Sequence, residues 1–281
     1  MITTPLKTWV ETTRATLTNL RALAIFAIPY ALLLVTLYGF SATREATIWQ
    51  VIITLGGFVV VPAEFFILQA AIVGHARDQR FHWRAILIDA LKLLAITIPI
   101  LIIGYVLFIL LNKWQLRFPA PKAAITFPPT PPKAQTLHWP TLLFGSIRFL
   151  LLGIALPLAT IHLWIEIAGP DLRTSLSGGT KTILKRLGGV LTRAFASESV
   201  LIYALGLIVF ILIPYAILFL PIPVKGTKTD FAVFILRLLL AFIFTLIGWI
   251  VTVATLAKAR AEISPVVSAK TVPAAPAEAP A

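Results

Sequence analysis

The sequence predicts an all-α fold, a polytopic membrane bundle of six transmembrane helices, and three observations carry that prediction. Charged residues occupy only 12% of the 281 positions, about half the 25% of an ordinary soluble domain. The hydrophobic residues, 59% of the chain, gather in runs of 20 residues or more, the length a helix needs to cross a bilayer. No run alternates apolar and polar residues with a period of two, as a lumen-lined barrel requires. Helices then remain, because hydrocarbon offers the backbone no partners outside its own segment.

Six runs bounded by charged or polar clusters are the candidate spans: Arg21–Phe40, Gln50–Val73, Ile86–Leu111, Leu142–Ala168, Val200–Val224 and Phe231–Ala257. At 1.5 Å per residue each reaches about 30 Å, the thickness of the hydrocarbon core. The first run follows a long stretch containing Glu11, so it reads as an uncleaved anchor rather than a signal peptide. Residues 1–260 form one membrane domain on this reading. Residues 261–281, ending in VPAAPAEAPA, form an Ala/Pro-rich tail expected to be disordered.

Basic residues in the connections set the expected orientation. With the N-terminus cytoplasmic, 14 of the Lys and Arg outside the spans fall on the inner side and 7 on the outer. That excess places both termini in the cytoplasm and the protein in the plasma (inner) membrane.

The odd spans each contain Ile-Pro, at Ile28-Pro29, Ile98-Pro99 and Ile213-Pro214. In two even spans Pro62 and Pro157 stand twelve residues before Gly74 and Gly169. These marks suggest three related hairpins. Each proline removes a backbone donor, so the carbonyls it frees need other partners. In the last span Thr245, Gly248, Thr252 and Thr255 recur at spacings of three or four, a small-residue face suited to close helix approach.

Outside the bilayer, Thr180 to Phe195 reads as an interfacial amphipathic helix. Ile183, Leu184, Leu187, Leu191 and Ala194 form one face, and Lys181, Lys185, Arg186 and Arg193 supply the candidate contacts to anionic headgroups. Gly188 and Gly189 weaken that helix. Shorter versions precede the first span, around Trp9 and Arg14, and the third, around Arg80 and Trp83. The outer connection, Asn112 to Thr141, is stiffened by seven prolines and reads as an extended spacer.

Catalytic signatures are missing. The sequence has no phosphate loop, no nucleophile elbow, no paired His of a zinc protease and no Cys. It therefore predicts no enzyme, no cofactor and no metal site. The net charge of +13 is divided among membrane loops, which argues for lipid headgroups as partners and against nucleic acid. The candidate intramembrane polar site consists of Glu64, Asp89, Lys92, His162 and Glu166. Asp89 and Lys92 are three residues apart and His162 and Glu166 four, spacings that place each pair on one helix face. Glu64 lies mid-span beside Pro62 without an opposite charge nearby in sequence. It is expected to face protein or a wet cleft, protonated or bonded to His162 or to a proline-freed carbonyl.

The stretch PAEFFILQAAIVGHARDQRFHWRAILIDALKLLAI, Pro62 to Ile96, runs an even helix through small residues into a short basic loop and a new helix. There the chain resembles a loosely related group of bacterial multi-helix membrane proteins. That group includes the membrane domain attached to some glycerophosphodiester phosphodiesterases. The resemblance implies a helical membrane module. It implies no phosphodiesterase activity, since the catalytic domain and its acidic and histidine metal-binding set are missing.

The function expected from these readings is a non-enzymatic, structural or regulatory membrane protein acting on lipid organisation or a membrane partner. The alternative is a small transporter or channel using the proline-bent helices and Glu64. A third class, an intramembrane enzyme acting on lipids, would need Asp89, His162 and Glu166 to converge near one headgroup layer.

Overall fold

The computed structural model describes residues 3–43, 47–78, 82–119, 138–168, 179–221 and 226–270. Those residues form α1 (Thr3–Thr18), α2 (Leu20–Ala42), α3 (Ile48–Asp78), α4 (Trp83–Gln115), α5 (Trp139–Ile167), α6 (Gly179–Ala194), α7 (Ser197–Phe219) and α8 (Thr227–Lys270). Six of them, α2 to α5 with α7 and α8, are long and apolar enough to cross a membrane. The chain is an all-α polytopic bundle and an integral membrane protein.

The helices outrun the apolar runs that predicted them. α4 has 33 residues, about 50 Å, and therefore tilts or projects beyond a 30 Å core. α8 continues to Lys270, past the expected boundary at residue 261; residues 271–281 lie outside the described residues, as do residues 120–137 of the outer connection. α6 runs unbroken through Gly188 and Gly189.

Because successive spans reverse direction, the start of α2 and the ends of α3, α5 and α8 lie together, beside α1. The core is concentrated toward this end. Its members include Phe66 to Val73 of α3, Leu158 to Trp164 of α5, and Leu246 to Leu256 of α8. Toward the opposite end, Leu101, Ile102, Ile103, Phe58 and Val59 are exposed, as side chains that face lipid are. α3 and α8 pack against each other, α3 also lies between α2 and α4, and α8 runs along α7 and carries α1.

Two spans contain π-helical segments, Phe149–Ala155 in α5 and Ile208–Leu212 in α7. Each ends just before a proline, Pro157 or Pro214. Leu156 N–H bonds the Leu151 carbonyl five residues back, so the N–H that Pro157 lacks falls opposite the carbonyls of Leu152 and Gly153, where the helix passes from π to α register. Tyr203 Oη of α7 donates to the Gly153 oxygen at 3.2 Å. Ile213 N–H still bonds Ile208 five residues back, so the N–H missing at Pro214 falls opposite the carbonyls of Val209 and Phe210; Thr245 Oγ1 of α8 stands 3.4 Å from the latter while its hydroxyl also reaches the Ala241 carbonyl of its own helix at 2.9 Å. Thus the prolines of one even and one odd span share a geometry, while Pro29, Pro62 and Pro99 sit inside α-helix. The π segments do not follow the odd and even marks of the three-hairpin pattern.

Gly206 and Gly248 make the α7 and α8 crossing close. A Cβ at Gly248 would lie 2.8 Å from Val209 Cγ1 and 3.0 Å from the Phe210 backbone nitrogen; one at Gly206 would strike Thr252. Gly248→Ala is expected to force the helices apart and cost about 1–3 kcal/mol, the usual range for overpacking. Tyr203→Phe, which only strands a carbonyl, is expected to cost about 0.6 kcal/mol, the average for hydrogen bonds between membrane helices, and no more than about 1.7 kcal/mol, their maximum. Unfolding in mixed micelles checks both, and an Ala variant as stable as wild type would disprove the close crossing.

Candidate functional site

α1 has the opposite of the usual amphipathic arrangement. Leu6, Val10 and Leu17 share one face and are 47–59% exposed. Pro5, Thr8 and Thr12 turn inward. Threonines at a spacing of four therefore meet the bundle, and the apolar stripe faces away from it. An apolar environment outside the protein suits such a stripe, as the boundary between hydrocarbon and headgroups would supply.

A one-residue joint at Asn19 fixes α1 to α2. Its Oδ1 accepts from the Ala22 N–H at 3.1 Å, capping α2, and its own N–H reaches the Thr16 carbonyl at 3.2 Å. At its far side α1 is tied to α8, where Lys258 Nζ lies 3.4 Å from Glu11; Lys7 Nζ stands 4.0 Å from the same carboxylate. The Lys258 pair is half-exposed and Lys7 is more exposed still, so each contributes no more than about 1 kcal/mol. Their effect is chiefly to place α1.

Beneath α1 lies an open cleft of about 980 Å³, at the upper end of the volumes of small-molecule sites. Its walls become apolar inward on three helices independently. α2 runs from Asn19 through Leu23 to Phe26, α3 from Arg77 and His75 to Ile72, and α8 from Lys258 through Ala254 to Ile250. Along α8 the change from a charge to a fully apolar side chain takes eight residues, about 12 Å. At the floor Phe26 and Ile72 are 1% exposed and Ile250 is 3% exposed. The His75 ring meets Phe26 edge-on at 5.4 Å. About a turn deeper, Trp249 Nε1 donates to Gln69 Oε1 at 2.6 Å and joins α8 to α3. The cleft is amphipathic and blind.

The candidate polar residues fall in separate places. Glu166 lines the cleft and pairs with Arg193 of α6, 3.6 Å away. Arg193 also donates through Nε to the Gly189 carbonyl at 3.0 Å. Asp89 and Lys92 pair on α4 at 2.9 Å, with side chains only 13% and 11% exposed. His162 is buried within α5. Glu64, on the second half of α3, accepts at Oε1 from Thr36 Oγ1 of α2 at 3.2 Å, while its Oε2 is buried with no hydrogen-bond partner among the described residues. Of the four basic residues singled out between Lys181 and Arg193, Lys185 is exposed, Arg193 is committed to Glu166, and the side chains of Lys181 and Arg186 lie outside the described residues. Among the described residues no three His, Cys, Asp or Glu side chains group as metal ligands do.

Reading along the chain missed Glu11, Thr12, Arg77 and Lys258 as site residues, since Glu11 and Lys258 are 247 positions apart. A signal was present in α1, where Thr8, Thr12 and Thr16 repeat every four residues beside Glu11.

The Thr36 bond gives Glu64 a test. Glu64→Gln keeps an acceptor and is expected to melt within about 0.5 kcal/mol of wild type, whereas Glu64→Leu loses the bond and is expected to fall by about 1 kcal/mol, typical of a hydrogen bond between membrane helices. Equal melting of the Leu variant and wild type would remove Glu64 from the α2 and α3 seam. Compared with protein-family models, curated proteins and solved structures, the chain matches none of them.

Proposed function

We propose that this protein is a non-enzymatic, structural or regulatory membrane protein that binds a membrane amphiphile in the cleft under α1. The observation that carries this reading is the polarity gradient shared by α2, α3 and α8, charged or polar at the mouth and apolar at the floor. A lipid has the same gradient over the same distance. The apolar stripe of α1 supports a mouth at the headgroup layer, so a ligand enters from the membrane with its polar part at the rim. The blind floor, closed by Phe26, Ile72 and Ile250 and backed by the Gln69–Trp249 bond, supports binding over passage.

The basic excess in the connections supports a cytoplasmic α1 end in the plasma membrane. Lys185, exposed on α6, is then available to anionic headgroups of that leaflet. The chain has no cysteine, so single introduced cysteines give a clean topology test. Cysteines at Lys185 and at His82 are expected to resist a membrane-impermeant thiol reagent in intact cells and to react after permeabilisation. One at Pro129 is expected to react at once, and the reverse pattern inverts the orientation.

The binding reading is tested by filling the cleft. Wild-type protein purified in a mild detergent is expected to carry lipid visible by native mass spectrometry. Ala254→Trp and Thr16→Trp, which introduce bulk from α8 and α1, are expected to lose most of it while keeping far-UV helicity. Full lipid retention in both folded variants would refute the site.

A further inference from the structure

Ion pairing accounts for three of the four charges on the cleft wall. Glu11 is taken by Lys258 and Lys7, and Glu166 by Arg193. Arg77, in the last turn of α3, also lines the cleft, and among the described residues no carboxylate pairs with it. Its guanidinium is permanently charged and presents donors in a fork that matches phosphate oxygens.

A second unmet group faces it from α1. Thr12 lines the cleft, keeps only 8% of its surface exposed, and its Oγ1 has no hydrogen-bond partner among the described residues. Helix geometry alone does not account for this. Thr13 and Thr18 of the same helix return their hydroxyls to carbonyls one turn back, at 2.8 and 2.9 Å. A buried donor left unmade is costly, so such groups have a partner in their working state.

Resting on the amphiphile reading, we propose that the cleft takes a phospholipid. Its phosphate sits on Arg77, an ester or glycerol oxygen accepts from Thr12, and an acyl chain lies along the half-buried Leu23, Ala76 and Ala254 above the closed floor. Charge complementarity selects this occupant. A fatty alcohol or a diacylglycerol would satisfy Thr12 and the floor but leave Arg77 unmatched. A soluble phosphate would satisfy Arg77 and leave the apolar floor wet. The two acids at the rim do not oppose a phosphate, because each is neutralised by its own base.

The test uses the full chain in neutral detergent, with a phosphatidic acid and the diacylglycerol of the same chains as probes, read by native mass spectrometry. Wild type is expected to hold the phosphatidic acid at least about tenfold more tightly, the size of one charge-assisted interaction. Arg77→Gln is expected to abolish that preference and Arg77→Lys to keep part of it. Thr12→Val is expected to weaken both probes several-fold, and Thr12→Ser neither.

Several outcomes overturn the proposal. Lower thermal stability in Arg77→Gln with the preference intact would mean that Arg77 only complements the dipole at the end of α3. Displacement of the phosphatidic acid by inorganic phosphate would assign the site to a soluble anion. Equal binding of the two probes, both lost in Ala254→Trp, would leave the amphiphile reading standing and remove the phosphate assignment. Failure of wild type to hold either probe would remove the amphiphile reading itself.

Discussion

Hydrocarbon offers the backbone no hydrogen-bond partner, and the rest of this architecture follows from that constraint. It makes every span a helix, and it leaves carbonyls at the interior prolines that need other donors; at Pro157 and Pro214 a neighbouring helix brings a hydroxyl to them. The carbonyls are those of Gly153 and Phe210, and the hydroxyls those of Tyr203 and Thr245. Such bonds require the helices to run close. Gly206 and Gly248 supply that closeness at the α7 and α8 crossing, and the small-residue face of α8 is there for the same reason as the hydroxyl on it.

A second consequence is the unequal packing along the membrane normal. Apolar side chains gain little by leaving lipid for protein, so nothing forces the end opposite α1 to bury its leucines and isoleucines. At the α1 end the chain carries polar groups that need partners: Glu11, Lys258, Glu166, Arg193 and the threonines of α1. These groups tie α1 to α8 and α5 to α6 at the end where the apolar core also lies, and they leave part of the space there unfilled. α1 presents short threonine side chains to the bundle where larger apolar ones would have closed the space. The cleft is what remains between a polar helix face and the apolar ends of α2, α3 and α8.

The fold was legible because its main signal, long apolar runs, is local in sequence. All six spans were found from hydropathy, and their true ends were missed because helix continues into the polar flanks, as in α3 through Arg77. The prolines were legible as places where backbone bonds must be replaced. Their replacements were not, since Tyr203 stands 50 residues from Gly153. The candidate site was mostly hidden. Attention to charges inside the spans leads to Glu64, Asp89 and Lys92, which lie off the cleft; only Glu166 of that set lines it. Hydropathy searches for polar groups where they are costly, whereas this cleft gathers them at the membrane edge, where single residues attract no notice. Arg193 shows the same limit from the other side. As a surface cation it reads as a lipid contact, and folding gives it Glu166.

Pairing of the rim charges also governs what the cleft can discriminate. Two unit charges 4 Å apart interact by about 4 kcal/mol at an effective dielectric of 20, so an unpaired Glu11 or Glu166 near the mouth would offset most of the attraction of one arginine for an anion. With both acids neutralised, Arg77 acts alone. Were Lys258 also free, the mouth would be a diffuse basic surface that concentrates every anionic headgroup without orienting any. Its commitment to Glu11 reduces the field to a single directional donor, and the same ion pair holds α1 in place above it. The tether that shapes the cleft is therefore also what leaves its charge recognition to Arg77.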